Sequence, residues 1–229
     1  VLRRMPAETA IEKRNRALIA FALLSGARDD AIASLNLGHV DPVRRTVFQD
    51  AREVRTKFRK TATTWFFPVG DDVEEIVLGW LAYLKEVEQF GPSDPLFPLT
   101  KVGLNKGGEF TAIGLERRHW RNAGPIRVVF RKAFTAAGLP YFHPHSLRHT
   151  LVRLGQRVCR TPEEFKAWSQ NMSHEGVLTS FRSYGDVAGS RQAEIMNSLP
   201  ARLGSDPNEA PLDVATINRV LAHLQMTVR

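Results

Sequence analysis

Four islands in this sequence gather the side chains that could do chemistry. The first is Leu24-Ser25-Gly26-Ala27-Arg28, an arginine just past a glycine. The second is Arg55-Thr56-Lys57-Phe58-Arg59-Lys60-Thr61, and the third is His143-Pro144-His145-Ser146-Leu147-Arg148-His149. The fourth is Ser173-His174-Glu175, with Tyr184 ten residues after His174. Guanidinium forks match the paired non-bridging oxygens of a phosphate ester and hold the charge that builds there during a displacement. Arg28 and Arg148 suit that role, and on a helix a spacing of three puts His145 on the same face as Arg148. A tyrosine is only about one part in a thousand ionised at neutral pH, so it needs a base or a cationic site to become a nucleophile. His145 and the arginines would provide one. A lysine among other cations can have a lowered pKa and donate a proton to a departing oxygen. His174 would hydrogen-bond the phosphate. Neither a nucleotide nor a metal cofactor is expected.

Taken singly, each residue has a plainer explanation. With 32 Lys+Arg in the chain, any one arginine is ordinarily a solvated or ion-paired surface group. His143, His145 and His149 could form a metal cluster, but no carboxylate lies near them in the sequence and no cysteine assists, so no metal is expected. His143 and His149 are read as structural, and Trp168 and Cys159 as core. Of three tyrosines, Tyr83 falls within a helical pattern and Tyr141 follows a Gly-Leu-Pro turn, which makes both packing residues. Tyr184 has a polar, loop-like setting and a histidine upstream.

The elements that must position these groups read as mainly helical. Residues 8–25 place Ile11, Leu18, Ile19, Ala22 and Leu23 at helical spacing, with Gly26 as terminator. Ala31 to Leu37 suggests a second helix. From Val40 to Val69, β-branched and aromatic residues between polar turns predict two or three short antiparallel strands. Residues 71–89 form a helix with acids in its first turn and an apolar face of Ile76, Trp80, Leu84 and Val87. Residues 91–114 are glycine-rich and aperiodic, which predicts a long loop. Helices are expected again over 123–137, 146–159, 162–171, 176–183 and 188–199. After a linker from Leu203 comes an amphipathic helix over 211–227, with Val214, Ile217, Val220, Leu221 and Leu224 on one face. The fold class is α+β, mainly α, with a small antiparallel sheet packed on a helical core.

In order and spacing the four islands resemble the catalytic domain of the tyrosine recombinase (phage integrase) family. That family has an Arg after a Thr/Ser-Gly pair, a Lys in a β-turn, His-x-x-Arg, then a His and a Tyr. The matching positions are Arg28, Lys60, His145 with Arg148, His174 and Tyr184, within a resemblance over about residues 8–200. Lys60-Thr61 precedes a strand that ends near Pro68, as in the family. That favours Lys60, with Lys57 the other candidate. The chain departs from the pattern at Ala31, where an acid is usual, and at Ser173, where a glycine is usual. Neither position would touch phosphate.

The resemblance implies a site-specific recombinase or integrase that cleaves and rejoins DNA through a 3′-phosphotyrosine intermediate. The alternatives are a type IB topoisomerase-like relaxation of supercoils, or a DNA-binding module without catalysis, which would not need Tyr184. Residues 1–202 would form the catalytic domain and 203–229 the linker and C-terminal helix. The N-terminal DNA-binding domain usual in the family is expected to be absent from this chain, whose first helix begins at Glu8. The implied partner is double-stranded DNA, bound by a homo-tetramer of the full-length protein. This fragment is expected to be a monomer alone.

Charge distribution agrees with a polyanionic partner. Residues 1–70 hold 13 basic against 7 acidic side chains and residues 101–160 hold 12 against 2, whereas residues 71–100 hold 1 against 7. Two basic blocks thus flank an acidic one. With 43% hydrophobic residues there is enough apolar material for a core, which excludes a disordered basic tail. No apolar run is long enough to cross a membrane. One cysteine, Cys159, excludes an internal disulfide and suits a reducing, cytoplasmic setting.

Overall fold

The computed structural model describes residues 1–104 and 107–173, together with the helical positions 190, 192, 193, 196 and 197. His174, Tyr184, the helices expected over 176–183 and 211–227, and the linker between lie outside the described residues. Every element below belongs to the unit Val1–Tyr184.

Helix α1 (Ala10–Ser25) starts where Thr9 accepts a hydrogen bond from the Glu12 amide while the Glu12 carboxylate receives the Thr9 amide, a reciprocal cap that satisfies two otherwise unpaired donors. Its second half, Ala17 to Leu24 with Leu23 half-covered, is buried almost all round, as befits a helix at the centre of the core. The helix ends at Gly26, whose left-handed backbone (φ 61°, ψ 13°) favours glycine. The expected second helix is shorter and earlier than its apolar run: α2 spans only Asp29–Ile32, with a 3₁₀ turn at Leu37–His39 after it.

Strands β1 (Val40–Asp41), β2 (Thr46–Gln49) and β3 (Ala62–Trp65) form one antiparallel sheet in that order, with Val40 opposite Val47 and Val47 opposite Thr64. The expected two or three strands are therefore three. Period-two alternation turns Val47 and Thr64 inward and Phe48 and Trp65 outward.

Helix α3 (Asp71–Glu86) packs along α1 through Val73, Val77, Trp80, Leu81 and Leu84. The seam is rotated from the face expected, and Val87 lies beyond the helix, 62% exposed. The indole of Trp80 donates to the Leu96 carbonyl at 2.9 Å, and Phe21 meets Phe97 edge-on at 5.4 Å.

The largest departure from expectation lies in residues 91–114, where β4 (Leu99–Leu104) and β5 (Phe110–Glu116) form an antiparallel hairpin rather than a loop. Its glycines serve the sheet. The register shifts between Lys101 and Val102, which leaves Ile113 as the extra residue beside Gly114 (φ 151°). A Cβ on Gly103 would lie 2.6 Å from the Ile113 side chain. Little of the hairpin is buried, so it lacks the apolar alternation by which strands are recognised.

Three further helices follow: α4 (Gly124–Ala136), α5 (His145–Val158) and α6 (Pro162–Asn171), each within two residues of its expected bounds. Helix α4 adds Ile126, Phe130 and Phe134 to the main core, whereas α5 and the end of α6 rest on a smaller cluster of Phe67, Leu151, Val152 and Met172. Trp168 and Cys159, expected in the core, are partly exposed. Among the described residues no helix is long and apolar enough to cross a membrane.

Candidate phosphate site

The break at Gly26 delivers two things to one place. Its carbonyl accepts a hydrogen bond from the Nη1 of Arg148, and two residues later Arg28 takes up the N-cap position of α2. Arg148 reaches that carbonyl from the first turn of α5, and its Nη2 donates to the Met172 carbonyl at 2.5 Å. Only 5% of Arg148 is exposed, and its Nε is buried without a hydrogen-bond partner among the described residues. Burial, with the positive charge of Arg28 adding to it, lowers the Arg148 pKa to about 9. Arg28 is half-buried, and its pKa is also lowered by desolvation.

Carboxylates among the described residues stay off these two cations. Asp29 and Asp30 directly follow Arg28, yet Asp29 pairs with Arg127 of α4 and Asp30 with Arg55, each at 3.0 Å. Among the described residues, no carboxylate forms an ion pair with Arg28 or Arg148. Two carbonyl dipoles orient a buried guanidinium without neutralising it, so the place is prepared for an anion. Arg55 and Arg127 were not singled out in sequence for this role. Two aspartates next to an arginine expected to hold phosphate are the signal in the sequence that something must hold them aside.

His145 is the first residue of α5, one turn before Arg148. It lies at the surface, but enough of its ring is covered that desolvation pushes its pKa down, followed by the charges of Arg148, His149, Arg28 and His143. Its ring stacks near His143 at 6.3 Å and meets His149 edge-on at 5.2 Å. His143 and His149 are themselves exposed rather than structural in a packed interior. Among the described residues no group of His, Cys, Asp or Glu could hold a metal ion.

Lys60 lies on the connection between β2 and β3, just past the 3₁₀ turn Lys57–Arg59 and two residues before β3. Lys57 places its ammonium 4.7 Å from the centre of the Phe58 ring. The structure thus brings Arg28, His145 and Arg148 together and sets Lys60 on a hairpin. Met172 and Ser173, the latter with φ 54°, are the last described residues before His174.

The chain matches the model of the phage integrase family over residues 2–154. No curated protein matches it. Among solved structures it is similar to XerA recombinase, at 18% identity and a TM-score of 0.55 over 86% of this chain and 60% of that one. It is also similar to the Tn1549 transposon integrase solved in complex with transposon right end DNA, at 16% identity and a TM-score of 0.52 over 87% of this chain and 62% of that one. The chain therefore spans about three fifths of the length of either solved chain, and at these identities the likeness is one of fold. A family model that matches two thirds of the sequence, and takes in both arginines and the histidine between them, establishes that the chain belongs to the phage integrase family.

Proposed function

We propose that this chain is the catalytic part of a site-specific DNA recombinase that cleaves and rejoins strands through a 3′-phosphotyrosine link. The observation that carries the proposal is a buried, carbonyl-held Arg148 beside Arg28, with no carboxylate paired to either among the described residues and with neighbouring acids drawn off by other arginines. Such a site suits a phosphodiester whose non-bridging oxygens gain charge during displacement. The DNA named with the Tn1549 integrase and the two basic blocks of this sequence favour DNA as the ester's source.

In this reading the Tyr184 oxygen attacks phosphorus, a phosphotyrosine bond forms, and the bond to the 5′-oxygen breaks. His145, whose pKa is pushed down by desolvation and then by the neighbouring cations, takes the tyrosine proton. Lys60 gives a proton to the departing 5′-oxygen, and His174 hydrogen-bonds the phosphate. Rejoining is the reverse, with a 5′-hydroxyl as nucleophile. The longer protein would work as a DNA-bound tetramer, with the helix over 211–227 exchanged between protomers. The experiment is to incubate the chain with nicked duplexes, whose cleaved end diffuses away, and to look for a covalent protein–DNA adduct on a denaturing gel. Persistent failure to trap one would sink the proposal.

Two predictions refine the roles. Lys60→Ala is expected to slow cleavage far more on an ordinary 5′-oxygen substrate than on one with a 5′-bridging sulfur, since a thiolate leaves without a proton. Sulfur rescue of Lys57→Ala, but not of Lys60→Ala, would reverse the choice of lysine.

For His145, protonation removes the base, so the cleavage rate should fall only at a pH below the ordinary histidine range. Arg28 contributes to that depression, so Arg28→Gln, though slower, should move the acid limb of the pH–rate profile upward. An unmoved limb would show that Arg28 does not act on the titrating group.

A further inference from the structure

We infer that Trp168 is a positioning residue for Arg148, seated in a notch that Gly155 opens in α5. The inference rests on the phosphodiester reading of Arg148. Gly155 is buried inside α5 with an ordinary helical backbone, where alanine would be better by about 1 kcal/mol of helix propensity. The glycine needs another reason, and Trp168 supplies it. A Cβ at position 155 would lie 2.6 Å from the indole Nε1, 2.7 Å from Cδ1 and 2.8 Å from Cε2, closer than such atoms can approach. The bare backbone lets the indole come near enough for Nε1 to donate to the Leu151 carbonyl at 3.0 Å, while Phe67 packs on the ring at 4.9 Å.

These contacts run directly to the groups that hold Arg148. Phe67 and Leu151 also close over Gly26, where a Cβ would lie 3.0 and 3.1 Å from their side chains, and the Gly26 carbonyl is one acceptor for Arg148. The other acceptor, the Met172 carbonyl, belongs to the turn that ends α6, where the Met172 amide bonds back to the Trp168 carbonyl at 3.2 Å. Trp168 therefore sets the separation between the α5 backbone and the end of α6, and with it the place of the Met172 carbonyl. α5 and α6 meet over the small Phe67 cluster rather than the main core, and this indole packs against that cluster from α6. Moving it would swing the guanidinium while leaving the main core intact.

The test is a double-mutant cycle on adduct formation by the full chain, under single-turnover conditions, with a pool of nicked duplexes randomised around the nick. Gly155→Ala is expected to slow adduct formation about ten- to a hundredfold with DNA binding unchanged, the loss typical of a catalytic group displaced by about 1 Å. In an Arg148→Lys background, where the fork is already lost, the same change should cost no more than about twofold. Losses that multiply in the double variant, or full activity in Gly155→Ala alone, would overturn the positioning role. Trp168→Phe, which keeps a ring and removes the bond to Leu151, runs the same cycle if Gly155→Ala fails to fold. No adduct from the wild type, or none of the expected loss in Arg148→Lys, would instead bring down the phosphodiester reading and the positioning role with it.

Discussion

Tyr184→Phe is expected to abolish covalent attachment to nicked DNA while leaving DNA binding nearly unchanged, because only the nucleophilic oxygen is removed. A denaturing gel reads the first quantity and a mobility shift the second. Tyr83 is a poor substitute on physical grounds. The Tyr83 hydroxyl donates to Glu88 at 3.1 Å, and desolvation together with that carboxylate raises its pKa, which makes the phenolate harder to form. The Tyr141 ring lies 5.2 Å from the guanidinium of Arg131, which leaves Tyr141 as the other candidate. An adduct that persists in Tyr184→Phe would show the assignment to be wrong and send the search to these two.

Arg148→Ala and Arg28→Ala should each slow cleavage at least about a hundredfold, the usual loss for one preorganised donor facing a charged transition state. The two variants should differ in stability. Arg148→Ala leaves the Gly26 and Met172 carbonyls without their donor in a buried place, but it also removes a charge whose burial is unfavourable. Those contributions oppose one another. Arg28→Ala removes a half-buried cation that makes no ion pair among the described residues, so its melting temperature should stay close to that of the wild type. Arg148→Lys is expected to recover little of the rate, because a point charge cannot span two carbonyls and still face a phosphate as a fork does. Rates are compared on folded protein, with thermal melts as the control. A loss of less than about tenfold in Arg28→Ala would remove that residue from the charged transition state.

Sequence carried furthest where function depends on neighbours a few residues apart. The glycine after α1 placed Arg28 just beyond a helix end, and the three-residue step from His145 to Arg148 required one helical face; both follow from local geometry. Helices α4 to α6 were legible from apolar spacing because each buries a single stripe. Long-range partners were not legible. The acceptors of Arg148 lie 122 and 24 residues away, and Asp29 meets its arginine across 98. Arg14 looked like one basic residue among many, yet it is buried, bonded to the Pro98 carbonyl at 2.8 Å and set 5.2 Å from the Trp120 ring. The β4–β5 hairpin is not legible in the sequence because backbone pairing, rather than a buried apolar face, holds its strands together.

The central claim, a 3′-phosphotyrosine intermediate, is tested most directly by the polarity of the trapped adduct. A nicked duplex labelled at the 5′ end of the cleaved strand should give a labelled band that migrates with the protein on a denaturing gel. The released fragment should carry a free 5′-hydroxyl that polynucleotide kinase can phosphorylate without prior phosphatase treatment. Peptide mapping of the adduct should place the DNA on the segment that contains Tyr184. Protein joined instead to the 5′ side of the break, or a released fragment that already bears a 5′-phosphate, would contradict the account.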